Sequence, residues 1–318
     1  MNYEEFKNEV QANILNYLPE EYKNYTVYVN QQLKNNNVVL DGLFINDDGK
    51  VAPMIYLNDF YEQYKQGVKL EDILRKIADI RVNKNIESES DYLWIVDYEK
   101  AKEHLVCRIV NRDDNLELLE KVPHKIVEDL AVTYHVIVAN INGLDGNVRV
   151  TNEILEMYGI SQEELHEQAL ENMRKINPPI FVPLRKMIVE MLEKRLEKLK
   201  EQAEEGQDII ESLFEDADRS KLYVLTNRGK IDGAAAILDQ EIMKEISKEV
   251  GGNFYIIPSS IHEVLIMPVD CMDYESLEEI IKDVNNTQVS QEEKLSDYAY
   301  EYDVNEGQIH RADKMCKC

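Results

Sequence analysis

Ser259, Ser260, His262 and Glu263 stand almost side by side in the stretch FYIIPSSIHEVLIMPV, Phe254 to Val269. A hydroxyl, an imidazole and a carboxylate are the groups that nucleophilic catalysis assembles. One serine would attack, His262 would take its proton, and Glu263 or the distant Asp129 would orient the ring. Such a set would serve a hydrolase or a transferase. The spacing speaks against it. Triad members converge from separate elements, whereas His262 is only two or three residues from either serine, and no G-x-S-x-G elbow is present. Serine and proline also belong in turns for conformational reasons alone. No catalytic residue is therefore assigned, and Ser259, Ser260, His262, Glu263 and Asp129 stand as candidates.

His135, His262 and Asp129 are the residues to consider as metal ligands. No H-E-x-x-H or H-x-x-E-H spacing joins them, and a strand histidine packs readily into a core, so no metal is expected. A Walker A loop and a G-x-G-x-x-G turn are both absent, and only 12 glycines are present. The common phosphate cradles have little to work with, and no cofactor is expected.

The elements that must position these groups can be read from periodicity. Phe254–Ile257 and Val264–Met267 are two apolar runs that meet across the polar loop 258–263, which is a hairpin. Leu222–Thr226 is a strand before it, and Gly233–Val250 a helix stopped by Gly251-Gly252. Tyr274–Val284 is a helix with Leu277, Ile280, Ile281 and Val284 aligned. The order strand–helix–strand–strand–helix makes a C-terminal α+β unit. Upstream, Tyr3–Leu18 has helical spacing and ends at Pro19. Thr26–Val29, Val38–Ile45 and Val51–Leu57 read as a meander turning at Asp47-Asp48-Gly49. Asn58–Tyr64 and Leu70–Ile80 are helical. Leu130–Val138 is apolar on both faces, as a central strand of a covered sheet must be, while His104–Val110 suits either helix or strand. Ser161 and Glu164 form a capping-box pattern.

The expected fold class is α+β, with mixed or antiparallel sheets, helices packed on them and a long charged connector helix. Pro178, Pro179 and Pro183 mark the division: an N-terminal domain at 1–180, the connector at 181–220, and a C-terminal domain at 221–318. The Tyr-rich tail of the last domain is read as an arm packing on its body.

The net charge of −26 over 318 residues argues against a surface that tracks nucleic-acid phosphates or anionic lipid. Solubility is the plain reading of that charge. The sharper one is an acidic nucleic-acid mimic that occupies a basic protein's groove, although the acids are spread along the chain. Of four cysteines, Cys107 and Cys271 sit in apolar contexts and Cys316 and Cys318 in a polar tail, so no disulfide framework is expected. The start lacks a basic n-region and an apolar h-region, and no apolar run is long enough to cross a bilayer. A cytoplasmic location follows. Eighteen tyrosines against six phenylalanines suit amphipathic interfaces. The expected function is thus a non-enzymatic protein-interaction module, with another protein as partner and no direct contact to nucleic acid or membrane.

Several strings are distinctive together: YLNDFYEQYKQG, VPHKIVEDLAVTYHV, LYVLTN, GAAAIL, FYIIPSSIHEVLIMP and the trailing VNNTQVS…EKLSDYAYEYD. They resemble an uncharacterised domain-of-unknown-function family of clostridia and related Gram-positive bacteria. The resemblance covers nearly the whole chain outside the charged connector. It implies a bacterial, cytosolic, accessory role, often in mobile regions of a genome, and carries no reaction, cofactor or catalytic residue.

Overall fold

The first helix, α1 (Tyr3–Asn13), is started by a capping box in which the Asn2 side chain accepts from Glu5 N–H and the Glu5 carboxylate reaches back. Its Phe6 and Val10, with Ile14 just beyond, are fully buried. The computed structural model describes residues 1–46, 54–83, 93–141, 144–190 and 221–315. These residues fall into two units, Met1–Ala101 with Ile137–Val148, and Lys102–Val136 with Arg149–Cys318.

In the first unit, β1 (Thr26–Leu33), β2 (Val39–Asn46) and β3 (Ile55–Tyr56) form an antiparallel meander. The turn expected at 47–49 lies outside the described residues. Helices α2 (Asn58–Lys65) and α3 (Leu70–Asn83) follow, and Ile73 and Ile77 of α3 join Phe6, Leu43 and Ile45 in one core. Arg81 is buried there and donates from Nε to the Ile45 carbonyl at 3.1 Å.

In the second unit, β4 (Leu105–Asn111) and β5 (His124–Val127) flank residues 130–136 of β6 (Leu130–Ile141); the rest of β6 pairs with β7 (Leu144–Arg149), and these residues up to Val148 count with the first unit. Residues 130–136 are all buried, so the strand is covered on both faces as expected. The ambiguous run 104–110 is strand from Leu105 onward. Helix α4 (Asn152–Tyr158) precedes α5 (Gln162–Ile176), which carries the Ser161–Glu164 capping box. Asn172 of α5 donates to the Leu105 carbonyl at 3.0 Å, tying the helix to β4.

The remaining strands are β8 (Pro179–Pro183), β9 (Tyr223–Asn227), β10 (Phe254–Pro258), β11 (Val264–Pro268), β12 (Tyr300–Asp303) and β13 (Gln308–Arg311). They build one antiparallel sheet in the order β13-β12-β10-β11-β9-β8. The hairpin β10–β11 is in register from Phe254 opposite Pro268 to Pro258 opposite Val264. The tail is ordered as β12 and β13, which extend the sheet beyond β10. Strand β8 has proline at both ends and lies at the opposite edge, where missing N–H donors are tolerated.

The helix expected over 233–250 is two pieces. A buried 3-10 segment, Gly233–Leu238, ends at Asp239, and α6 (Gln240–Val250) begins there. Asp239 is extended and accepts from the N–H groups of Glu241 and Ile242, so its carboxylate caps a new helix instead of continuing the old one. Gly251, at φ 88°, stops α6. Helix α7 (Tyr274–Thr287) buries Leu277 and Ile281, while Ile280 and Val284 face outward, so the aligned apolar set is wider than the surface it packs on.

The sheets are antiparallel throughout, with helices packed on them, an α+β fold. The division drawn at 180 falls inside β8, whose partner β9 lies beyond the connector. Residues 184–190 are helical, and 191–220, with Cys316 and Cys318, lie outside the described residues. No helix among the described residues is long and apolar enough to cross a membrane.

One contact in this unit predicts a pH dependence. The buried Tyr134 hydroxyl is hydrogen-bonded to His166 Nδ1 at 3.1 Å. Burial, and then Lys125, hold His166 below its ordinary 6.5, against Glu163 and Glu167. The unfolded chain takes up this proton near pH 6.5, before the folded ring does. Stability should therefore fall as the pH drops below about 6.5 and level off beneath the folded pKa. Urea unfolding between about pH 7.5 and about pH 5 measures this. His166→Gln keeps a hydrogen-bond partner for Tyr134 and should flatten that part of the profile; an unchanged slope rejects the assignment.

Candidate functional site

The loop joining β10 and β11 is stitched to its neighbours by backbone bonds. Ser260 N–H donates to the Glu263 carbonyl at 3.1 Å, Ile261 N–H to the Glu293 carbonyl at 2.9 Å, and Ala234 N–H to the Ile261 carbonyl at 3.2 Å. Thr226 of β9 donates its hydroxyl to the His262 carbonyl at 2.8 Å.

The His262 ring is held from two sides. Its Nδ1 accepts the backbone N–H of Asp232 at 3.0 Å, and Nε2 stands 3.5 Å from the Glu293 carboxylate. A backbone N–H can only donate, so in the neutral ring the proton belongs on Nε2, directed at Glu293. A general base needs a free lone pair aimed at the nucleophile. Here one lone pair is already taken by Asp232 N–H and the other nitrogen carries the proton. Ser260 Oγ meanwhile accepts the N–H of His262 at 3.0 Å, a contact internal to the loop.

Asp232 makes this arrangement possible. At φ 53° it takes up the left-handed conformation, uncommon outside glycine. That conformation turns its N–H to His262, while its carboxylate pairs with Nη2 of Arg108 on β4 at 2.7 Å. Burial lowers the Arg108 pKa and Asp232 works against that fall. Gly233, next in sequence, passes so close to β9 and the loop that it has no room for a Cβ.

The other candidates are placed as follows. Ser259 is half-buried in the loop, and the carboxylate beside the His262 ring belongs to Glu293, with Glu263 contributing its carbonyl to Ser260. Asp129 is 3% exposed and accepts from the hydroxyls of Ser296 at 2.8 Å and Tyr300 at 2.9 Å. His135 is buried in β6 with Nε2 3.3 Å from Thr133 Oγ1. Among the described residues no group of three or more His, Cys, Asp or Glu side chains gathers to hold a metal.

A family profile matches residues 3–304, which is nearly the entire chain. The chain belongs to DUF5688, a family of unknown function. No curated protein and no solved structure matches it. The strings that carried the resemblance can now be given physical roles in this DUF5688 chain. LYVLTN supplies Thr226 to the His262 loop, GAAAIL begins at the crowded Gly233, and LSDYAYEYD supplies the two hydroxyls that Asp129 accepts.

The structure also holds a feature that spacing did not reveal. A cavity of about 330 Å³ opens between the end of α5, the start of β8, the end of β9 and the 3-10 segment leading into α6. At its wall, Arg174 grips both Asp239 oxygens, at 2.6 and 2.5 Å, and Glu241 at 2.5 Å. Burial works to raise Asp239, but Arg174 and the Ile242 and Glu241 N–H groups outweigh it and hold the carboxyl below its usual range. Asn177 accepts Gly229 N–H at 2.7 Å, and Asn227 completes this side. These residues come from three stretches distant in sequence.

Proposed function

We propose that this protein is a non-enzymatic recognition module that binds another protein through the outer face of α7. The observation that carries this reading is a pair of exposed apolar side chains one helical turn apart, Ile280 at 49% and Val284 at 39% exposure. Glu279 and Asp283 lie on the same side, so the partner surface that fits has an apolar centre and a basic rim. The strongly acidic chain would steer such a partner and repel nucleic acid. Cys107 and Cys271 carry free thiols, which suits action in the cytoplasm. A hydrolase or transferase using His262 with Ser259 or Ser260 is the competing reading, and the bond from Asp232 N–H to Nδ1 opposes it.

The test places a photo-crosslinking residue at 279 and expresses the full chain in its source cell. A discrete cross-linked protein is expected, and it should vanish in Ile280→Asp/Val284→Asp while circular dichroism stays native. Cross-linking that ignores this double substitution overturns the reading. So does turnover of an ester or phosphoester panel that is abolished by His262→Gln in a folded protein.

A further inference from the structure

The two nitrogens of His262 face partners of opposite demand, and this carries an inference independent of the face on α7. Nδ1 accepts the Asp232 N–H at 3.0 Å, and Nε2 lies 3.5 Å from a Glu293 carboxylate oxygen. The neutral ring serves both, accepting at Nδ1 and carrying its proton on Nε2. The imidazolium cannot. Both of its nitrogens are donors, so the added proton sits on Nδ1 and meets the Asp232 N–H head-on.

The charges around the ring decide which partner the cation keeps. On the 227–233 corner the Asp232 carboxylate is matched by Arg108 of β4 at 2.7 Å, so this side offers the cation little. On the loop itself Ser259 and Ser260 are uncharged, and Glu263 gives its carbonyl to Ser260 N–H. The stretch after α7 supplies the carboxylate of Glu293 at Nε2, and the His262 side chain is 32% exposed, with room to turn toward it. The bonds from Ile261 N–H to Glu293, from Ala234 N–H to Ile261 and from Thr226 to the His262 carbonyl do not involve the ring and survive the change. Asp232 is the residue that responds, because a left-handed φ of 53° outside glycine is held by its surroundings. We propose that His262 is an acid-sensitive latch: neutral, it holds the 228–233 turn to the β10–β11 loop through Asp232 N–H, and protonated, it releases that turn and pairs with Glu293. The turn it controls displays Arg228, Lys230 and Ile231 to solvent, a basic and apolar projection on an acidic chain.

The test follows the full chain by amide exchange and by the ring nitrogen shifts of His262 between about pH 8 and about pH 5.5, a span in which an imidazole changes charge. At the upper end Nδ1 is expected to be the bare nitrogen. As the ring takes its added proton, protection of the Asp232 amide, corrected for the intrinsic pH dependence of exchange, should fall about tenfold, the worth of one hydrogen bond. The amides of Ala234 and Ile261, bonded to backbone carbonyls, should keep theirs. His262→Asn offers an oxygen near the place of Nδ1 that takes no proton, so protection at Asp232 should become independent of pH. Glu293→Gln removes the carboxylate that draws the cation, and release should then need a lower pH. Asp232 protection that is unchanged while the ring titrates overturns the proposal. So does a bare Nε2 at the upper end, a loss of protection that persists in His262→Asn, or release at an unchanged pH in Glu293→Gln. The first two of these outcomes are read on the unsubstituted chain, so the test stands even where a variant does not fold.

Discussion

Gly233→Ala is expected to destabilise the second unit by about 3 kcal/mol, the upper part of the range for overpacking a tight site. An added Cβ would fall 2.2 Å from Thr226 Oγ1, 2.5 Å from the His262 carbonyl oxygen and 2.7 Å from the Asn227 backbone nitrogen. Two of these three are backbone atoms in β9 and in the β10–β11 loop. They cannot swing away as the end of a long side chain would. Thr226 Oγ1 is held too, because it donates to the same His262 carbonyl. The methyl group must therefore push the loop off β9. That movement would also draw Asp232 N–H away from His262 Nδ1 and strain the Arg108 pair. Urea unfolding measures the loss, and amide exchange in 258–263 should rise before the global transition. An unchanged midpoint would show that the 227–233 corner yields more easily than its contacts imply.

The second large effect is expected at Asp129. Its carboxylate is the acceptor for two buried hydroxyls, Ser296 Oγ and Tyr300 Oη. Asp129→Ala leaves both without a partner in a place water does not reach. At about 1–3 kcal/mol for each stranded donor, a loss of about 4 kcal/mol is expected. The damage should concentrate in the tail. Asn285 holds the Ser296 carbonyl and the Asp297 carboxylate, both at 2.8 Å, and the Arg311 guanidinium lies 3.4 Å from the centre of the Tyr298 ring. Asp129 is the link between this arm and the turn after β5. Burial, and then Asp129 itself, push Tyr300 well above the usual tyrosine range, so its hydroxyl remains a donor throughout ordinary pH. Tyr300→Phe removes one donor and its need for an acceptor together, so it should cost less, about 1 kcal/mol. In Asp129→Ala/Tyr300→Phe the two losses should sum to less than their separate values, because the stranded hydroxyl is gone. Strict additivity in thermal unfolding would reject the shared network.

The family strings divide by what kind of force each residue answers to. FYIIPSSIHEVLIMP declared its hairpin because β-branched and aromatic runs bounded by proline and serine have few other solutions. The same holds for 130–136, where apolar residues on both faces require cover on both sides. The capping box at Ser161 and the stop at Gly251 are satisfied within one turn of chain, so they too were legible. The GAAAIL segment falls within the helix expected over 233–250, and its alanines favour a helix. Asp239 then decided otherwise, since its carboxylate meets Arg174 and caps a fresh helix. Ile280 and Val284 fit the helical stripe, and only the width of the surface beneath α7 turned them outward.

The serine–histidine–glutamate cluster shows where such reading ends. Residue types by themselves determined that a polar turn would sit between two buried strands, and that its spacing suited a turn better than a triad. They also determined an α+β chain with a large negative charge. Only the tertiary structure decided what each polar atom faces. His262 meets Asp232 and Glu293, Asp129 meets Ser296 and Tyr300, and Arg174 meets Asp239 and Glu241. The physical reason is the range of the forces. Periodicity and capping act within a few residues of chain. A hydrogen-bond partner is chosen by the strand order β13-β12-β10-β11-β9-β8 and by the helices laid against it, which bring together residues that no local spacing relates.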